Sequence, residues 1–303
     1  LWIYFKNPLV FVAGQTDGTS AAYTQAYPYW NIILMIYIIV ASSLPVWVLL
    51  QPRDYLNAYI LWFGLLIGGI AFIALAKPLE APGFTMWSAN VVGGQPSPFW
   101  PTVPLVIACG ALSGFHSLVG SGTSSKQLAN ELHGLFVGYA GMETEGFLST
   151  MVVAILGGYG LTALLNAGVE EVVVKTLTDP AVFAAKWTSV LGGVKWFVVV
   201  PHSYATATNS VLGLPYHVML VFGALWISAF ALTSLDTATR LGRFAWQELM
   251  EPLKEKSPEV YSVLSNRWVA SIILVVIGAA LALSKLWTVL WPAFAGMNQL
   301  LAS

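Results

Sequence analysis

Charged residues are scarce in this chain, and the usual signals of a soluble enzyme are missing. Only 9% of the 303 residues are charged, against about 25% in a typical soluble domain. The one cysteine, Cys109, excludes an internal disulfide and a cysteine-based metal cage. No G-x-S-x-G, H-E-x-x-H or Walker A motif occurs, and the four histidines are widely separated. We therefore expect no enzyme activity, no cofactor and no metal site.

The net charge is also close to zero, at -1. A chain without a basic surplus gives no reason to expect a nucleic-acid partner. The lipid bilayer is the expected environment, because 57% of the residues are hydrophobic and the mean hydropathy is +0.73.

Long apolar runs dominate the chain and predict an all-α polytopic membrane protein. A spanning helix needs about 20 apolar residues, and about seven segments qualify or nearly qualify. They are Trp30–Leu50, Tyr55–Ala76, Thr102–Val119, Met142–Leu165, Tyr216–Thr239, Trp268–Ser284 and Leu286–Ser303. We interpret 1–12 as the tail of a preceding membrane helix, 13–29 as an external loop and 30–303 as the membrane domain. The apolar ends lead us to expect a chain truncated at both ends.

Basic residues gather in one loop and indicate the orientation of the chain. Five of the thirteen Lys and Arg residues lie within 240–267, and short loops rich in these residues stay in the cytoplasm. The loops then divide into 51–54, 120–141 and 240–267 inside, and 77–101 and 167–215 outside. The two sides alternate correctly along the chain only if 195–213 does not cross the membrane. We therefore interpret this segment, which contains Pro201 and a polar run, as an interfacial or re-entrant piece.

The third span loses its apolar character halfway along. Gly110–Gln127 reads GALSGFHSLVGSGTSSKQ, and backbone freed at membrane depth must be satisfied by protein or by a water-filled cavity. A broken polar segment of this kind indicates a substrate or ion pathway. For the N-terminal half of the segment, close packing through small residues is the alternative. We expect the helix to break between Ser113 and Ser124, with its polar face toward the fifth span. The candidate substrate-binding residues are Ser113, Gly114, His116, Ser117, Gly120, Ser121, Gly122, Thr123, Ser124 and, from the last span, Asn298.

Two ionisable residues near this segment are candidates for proton coupling. His116 lies inside the third span, and its unperturbed pKa of about 6.5 suits proton transfer; a neutral histidine bonded to a neighbouring helix is the alternative. Glu143 and Glu145 open the fourth span, where carboxylates also favour the helix dipole. Of the two, Glu145 lies deeper and is the candidate.

The fifth span ends in a polar face. Thr233, Asp236, Thr237 and Arg240 follow helical spacing, and Asp236 and Arg240 form an i,i+4 pair. A structural ion pair is one explanation. The functional alternative has Thr233 and Ser234 offering hydroxyls to a cation or substrate and Asp236 acting as an inner gate, with Arg240 and Lys126 as further gating residues.

QPRDYLN at Gln51–Asn57 is predicted to be a tight turn. Arg53 and Asp54 are interpreted as structural residues, and Asp54 also has the position of an N-cap.

Four stretches together resemble the carbon starvation protein A family. They are LPVWVLLQPRDYLN (44–57), CGALSGFHSLVGSGTSSKQL (109–128), ALTSLDTATRLGRF (231–244) and LWPAFAGMNQLL (290–301). The resemblance implies a multi-pass protein of the bacterial or archaeal inner membrane. It also implies a fragment of a LeuT-like inverted-repeat bundle, in the amino acid–polyamine–organocation superfamily. The third and fifth spans would be the sixth and eighth helices of that bundle, with Thr233 and Ser234 at positions of sodium ligands in relatives.

The same resemblance implies a secondary active transporter that imports peptides or pyruvate with protons during carbon starvation. The expected partner is a small carboxylate-bearing solute, and the coupling ion is a proton or sodium. A sodium-coupled symporter of amino acids or organic acids, or a channel, is the alternative. Family members are much longer, so half of the site is expected to lie outside this chain.

The orientation can be tested with introduced cysteines. A cysteine at Lys256 should react with a membrane-impermeant thiol reagent only after cells are opened, because the loop 240–267 faces the cytoplasm. A cysteine at Gly83, in the loop 77–101, should react in intact cells. Labelling of position 256 from outside would reverse the topology.

Overall fold

The computed structural model describes residues 21–74, 78–92, 95–100, 114–194 and 196–284, and positions 286, 290, 297 and 300. Within these residues the chain is almost wholly helical. The helices are α1 (Ala21–Ser43), α2 (Leu50–Ile73), α3 (Gly114–Gly122), α4 (Leu132–Asn166), α5 (Glu171–Thr176), α6 (Pro180–Val194), α7 (Trp196–Leu212), α8 (Tyr216–Met250), α9 (Leu253–Lys256), α10 (Pro258–Leu264) and α11 (Arg267–Leu283), with a 3₁₀ turn at Ser124–Gln127. Strands β1 (Ser88–Val92) and β2 (Gln95–Pro98) pair antiparallel inside the predicted loop 77–101.

Three of the described helices, α2, α4 and α8, are long and apolar enough to cross a membrane. The pair α10 and α11, bent by 64° between them, gives a fourth candidate span. These findings confirm the membrane-spanning, helical character of the chain. The predicted span Leu286–Ser303 and the tail 1–12 lie almost wholly outside the described residues.

The helix boundaries near the start of the membrane domain differ from the predicted ones. Helix α1 begins at Ala21, inside the predicted loop 13–29, and it ends at Ser43 before the predicted end at Leu50. Pro45 explains the early end, because a proline disfavours helical conformation in the residue before it. The predicted turn at Gln51–Asn57 is instead the start of α2, whose N-cap is Leu49 and not Asp54. Pro52 fits there, because the amides of a helix's first turn have no partner within the helix.

Helix α7 is the centre of the packed bundle. It lies against both α4 and α8, and Tyr204, Ala205 and Ala207 are buried at these contacts with Met151 of α4 and Met219 of α8. Because lipid tails are as apolar as these side chains, the contacts stabilise the bundle through close packing and not through removal of apolar surface from water. The interfacial placement of 195–213 stays a prediction; its residues form a helix of 17 residues, about 26 Å long.

Helices α2 and α8 run antiparallel and approach closely at a glycine. Gly64 faces the indole of Trp226, and a Cβ built on Gly64 would lie 2.5 Å from a ring carbon. The hydroxyl of Tyr204 donates to the Gly64 carbonyl at 3.1 Å. A side chain larger than hydrogen therefore has no room at this crossing.

Segments that the threading places in the cytoplasm come together in space. Gln51 Nε2 donates to Gln127 Oε1 at 3.0 Å, and Lys126 Nζ lies 5.3 Å from the ring centre of Phe244. The predicted outer loop 77–101 contacts the C-terminal part of α4, where Glu80 accepts a hydrogen bond from the backbone amide of Thr162 at 2.9 Å. These contacts place the members of each pair at the same end of the bundle, and the assignment of the two ends to cytoplasm and exterior stays a prediction.

Replacing Gly64 with alanine should destabilise the protein. The new methyl group would overlap the rigid indole of Trp226, and overpacking of this kind costs about 1–3 kcal/mol. Gly278→Ala in α11 is the matched control, because a Cβ there meets nothing within 4 Å, so alanine should be neutral or slightly stabilising. Thermal unfolding in detergent measures both, and equal unfolding temperatures for the two variants would contradict the close approach.

Candidate functional site

A buried ionic network joins α1, α2 and α8. Asp236 is completely buried, and its Oδ2 accepts from Nη1 of Arg53 at 3.1 Å. The same Nη1 of Arg53 donates to the hydroxyl of Tyr37 at 2.6 Å, and Nη2 lies 3.3 Å from Oδ1 of Asp54. We call this group, completed by Arg240, the Arg–Asp network. It lies where the first turn of α2 faces the second half of α8.

Arg240 contacts both the end of α1 and Asp236. Its two Nη atoms donate to the carbonyls of Ala41 and Leu44 at 2.8 Å each, and Nη2 lies 3.7 Å from Oδ1 of Asp236. The last carbonyls of a helix lack partners within the helix and carry partial negative charge. Arg240 therefore caps the C-terminal end of α1 while it faces Asp236. The i,i+4 pair expected from the sequence is present, but it is one edge of a larger arrangement.

Thr233 lies one turn further into α8 and is already hydrogen-bonded. Its hydroxyl accepts from Nδ2 of Asn57 at 3.0 Å and donates to the Ala229 carbonyl at 3.0 Å. Oδ1 of Asp54 lies 3.5 Å from the same oxygen. The neighbouring Ser234 is half-buried. The assignment of these two hydroxyls as cation ligands stays a prediction.

His116 and Glu145 meet across α3 and α4. Nε2 of His116 lies 3.0 Å from Oε2 of Glu145, and the side chains are 49% and 31% exposed. We call this contact the His–Glu pair. The sequence singled out each residue separately, and the fold places them in contact. Because α4 begins at Leu132 and not near Met142, Glu145 lies well inside the helix, so the helix-dipole explanation does not apply to it.

The polar half of the third span keeps more helix than we expected. Helix α3 runs from Gly114 through Gly122, and its regular α-geometry ends at Thr123, inside the predicted interval for the break. Gly122 packs against Leu241 of α8, and Thr123 is buried. The break therefore lies beside α8, at the lower end of the polar segment.

The serine face does not point where we expected. Ser117, Ser121 and Ser125 are exposed, and the last two donate to backbone carbonyls of their own segment at 3.2 and 2.9 Å. Gly122 is the residue of this segment that packs against Leu241 of α8. Gly120 borders open space and Ser124 opens the 3₁₀ turn. The roles of all these residues in substrate binding stay predictions, and Ser113 and Asn298 lie outside the described residues.

An apolar cavity of about 300 Å³ lies between α4, α7 and α8. Met151, Tyr204 and Trp226 are among its walls, and none of the predicted site residues lines it. The two hydroxyl groups in its walls already donate hydrogen bonds to backbone carbonyls, Tyr204 to Gly64 at 3.1 Å and Ser203 to Val199 at 2.8 Å. Moving an unpaired carboxylate into such surroundings is costly. This cavity is therefore a poor site for a charged solute.

Sequence reasoning missed the importance of Arg53. We interpreted Arg53 and Asp54 as residues of a local turn, whereas Arg53 is the main charge partner of Asp236. Tyr37 and Asn57 were not singled out at all. A usable signal existed, because ionisable residues at the edge of an apolar run usually pair with one another. What the sequence could not indicate is which partner, 183 positions away, would meet Arg53.

Comparisons with known proteins agree with the resemblance seen in the sequence motifs. A family profile described as carbon starvation protein CstA matches residues 9–303. The chain is 31% identical to a peptide transporter CstA of Helicobacter pylori, over 89% of this chain and 43% of that protein. It is 30% identical to a peptide transporter CstA of Escherichia coli, again over 89% of this chain and 43% of the relative.

A relative named for a different substrate is similar to nearly the same extent. The chain is 29% identical to the pyruvate/proton symporter BtsT of Escherichia coli, over 91% of this chain and 47% of that protein. The chain thus spans less than half the length of the curated relatives it matches. No solved structure shows a significant match.

Removing the Arg53 charge should destabilise the protein strongly. Arg53→Gln leaves Asp236 buried without its main partner, and breaking a buried pair costs roughly 3–5 kcal/mol, with Arg240 reducing the loss. Lys175→Gln is the control, because it breaks the exposed pair with Glu171, whose atoms lie 2.7 Å apart, and exposed pairs contribute little. Chemical denaturation in detergent measures both variants. Similar losses would show that the network is not what holds these helices.

Proposed function

The chain belongs to the carbon starvation protein CstA family, and on that premise we propose that the natural protein is a secondary active transporter that imports a small carboxylate-bearing solute with protons. Its relatives are named peptide transporters and a pyruvate/proton symporter, so peptides and pyruvate are the two candidate substrates. Uptake across the inner membrane during carbon starvation is the corresponding physiological role. The spanning helices make it a multi-pass membrane protein.

The observation that carries proton coupling is the His–Glu pair. Histidine is the side chain whose unperturbed pKa of about 6.5 lies nearest neutrality, and Glu145 Oε2 is positioned to accept its Nε2 proton at 3.0 Å. Ionisable pairs between membrane helices commonly mark proton pathways. The two side chains are 49% and 31% exposed, and the proposal requires that water reaches the pair from this open side. Proton binding at this pair would alter the contact between α3 and α4.

We also propose that these helices belong to a LeuT-like inverted-repeat bundle. In that arrangement α3 and α8 are the sixth and eighth helices and meet at the substrate. Two features support the assignment: the helix break at Thr123, and the contact of Gly122 with Leu241 of α8. A helix that resumes after such a break offers free amides to a carboxylate. The candidate substrate-binding residues of 113–124 belong to this proposal.

The Arg–Asp network is proposed as the inner gate of the transporter. It ties α1, α2 and α8 together through Asp236, Arg53 and Arg240. Opening toward the cytoplasm requires these helices to separate, and the buried charges make the closed state well defined. Lys126 and Gln127, which contact α8 and α2 at the same end, would move with this gate.

Substitutions at the His–Glu pair should uncouple transport from protons. In the natural full-length protein, His116→Gln and Glu145→Gln should lower proton-driven pyruvate or dipeptide accumulation in proteoliposomes to near background. Exchange of labelled for unlabelled substrate should persist, because exchange needs no net proton movement. His217→Gln is the control, since this exposed histidine begins α8. Normal accumulation per inserted molecule in both variants would remove the pair from the mechanism.

Substrate and coupling ion can be determined in one uptake assay. Labelled pyruvate uptake should be inhibited by unlabelled pyruvate, and inhibition by dipeptides would assign a shared carboxylate site. Collapsing the proton gradient should abolish uptake, while replacing sodium with choline should not. Loss of uptake on sodium removal alone would assign sodium coupling and favour Thr233 and Ser234 as ligands. Flux that neither saturates nor follows an ion gradient would indicate a channel.

A further inference from the structure

Arg243 is a buried cation without an anionic partner in the described part of the chain. The residue is only 7% exposed, and its Nε atom is buried without a hydrogen-bond partner. No carboxylate of the described residues forms an ion pair with it. Arginine stays protonated in proteins, and a buried charge needs a compensating one. Its local environment therefore calls for an anion that the described residues do not supply.

The groups around Arg243 increase the positive charge instead of reducing it. The guanidinium centre lies 4.9 Å from the ring centre of Phe244, and Lys126 Nζ lies 5.3 Å from the same ring. Arg240 and Arg267 are close enough for their charges to repel that of Arg243. Arg240 is neutralised by Asp236 and by the end of α1. Arg243, Arg267 and Lys126 together leave an excess of positive charge.

The local fold brings these cations to one end of the bundle. The turn of α8 that follows Arg243 lies along the junction of α10 and α11, where Trp246 Nε1 donates to the Leu264 carbonyl at 3.2 Å and Gln247 Nε2 donates to the Ser265 carbonyl at 2.6 Å. Helix α11 begins at Arg267, so its positive dipole end adds to the same field. The 3₁₀ turn Ser124–Gln127 brings Lys126 to the same region, through its contact with the Phe244 ring.

We propose that Arg243, Arg267 and Lys126 form a binding site for a phosphate group. The planar guanidinium of arginine matches phosphate oxygens in a two-pronged hydrogen-bonding geometry. Two sources can supply this group, namely the headgroup of an anionic phospholipid and a soluble phosphate. The lipid is favoured by position, since basic pockets between membrane helices at their cytoplasmic ends are suited to anionic headgroups. The site is separate from the His–Glu pair and does not depend on transport.

The test measures binding and stability in bilayers of defined charge. The chain is placed in nanodiscs of neutral phosphatidylcholine, with or without phosphatidylglycerol. Phosphatidylglycerol should raise the unfolding temperature and should remain bound in native mass spectrometry. Arg243→Gln should weaken retention of phosphatidylglycerol about tenfold or more, the effect of losing a hydrogen bond to a charged group. Lys254→Gln, which removes an exposed charge from the same loop, should retain it fully, and Arg243→Lys should retain it in part.

The same measurements separate a phosphate site from a structural role. If Arg243 acts only through packing on Phe244, then Arg243→Gln lowers the unfolding temperature equally in neutral and in anionic nanodiscs, and the proposal fails. If the proposal is right, Arg243→Gln loses only the rise in unfolding temperature that phosphatidylglycerol causes, and its unfolding temperature in neutral nanodiscs is unchanged. Inorganic phosphate added to neutral nanodiscs distinguishes the source: an Arg243-dependent stabilisation assigns a soluble phosphate, and its absence beside lipid binding assigns the headgroup. Equal behaviour of Arg243→Gln and Lys254→Gln would overturn the site.

Discussion

The buried carboxylate of Asp236 is the interaction on which the arrangement of α1, α2 and α8 depends. A charge that is completely removed from water must be compensated, and Arg53 and Arg240 do so from two different directions. Each arginine also contacts α1: Arg53 donates to the hydroxyl of Tyr37, and Arg240 donates to the carbonyls at the end of the helix. Specific charge pairing therefore determines which helix ends meet. Apolar packing alone specifies the partners less well, because it tolerates many combinations of side chains of similar volume.

Small residues determine how closely the remaining helices approach. Gly64 admits the indole of Trp226, and the hydroxyls of Ser42 and Ser43 both donate to Ser271 at 3.2 Å, joining α1 to α11. Lipid tails are as apolar as the helices, so association in a membrane depends on close packing and on hydrogen bonds between helices. The polar contacts and the glycine contact thus act together, and the apolar cavity beside α7 marks a place where this close packing is incomplete.

Polar residues of the chain separate into groups with different physical character. The side chains of the His–Glu pair are partly exposed, while Asp236 and Arg240 of the Arg–Asp network are buried. Arg243 belongs to neither group, because its charge is not neutralised within the described residues. The roles proposed for the two groups, proton coupling and gating, rest on this difference in burial.

Composition, hydropathy and short motifs by themselves determined the membrane class, the family and most of the spans, because these properties depend on the local run of side chains. The same local reasoning identified His116 and Glu145 as ionisable residues within predicted spans, and Asp236 and Arg240 as a pair at the end of the fifth span. Only the tertiary structure decided that His116 meets Glu145, that Asp236 pairs first with Arg53, and that the serine face of α3 is exposed. Partners far apart in the sequence are selected by how helices pack, and helix periodicity defines a face without defining what that face will touch. The boundaries at Ser43 and Leu50 were also missed, since Pro45 and Pro52 act through backbone geometry that hydropathy does not register.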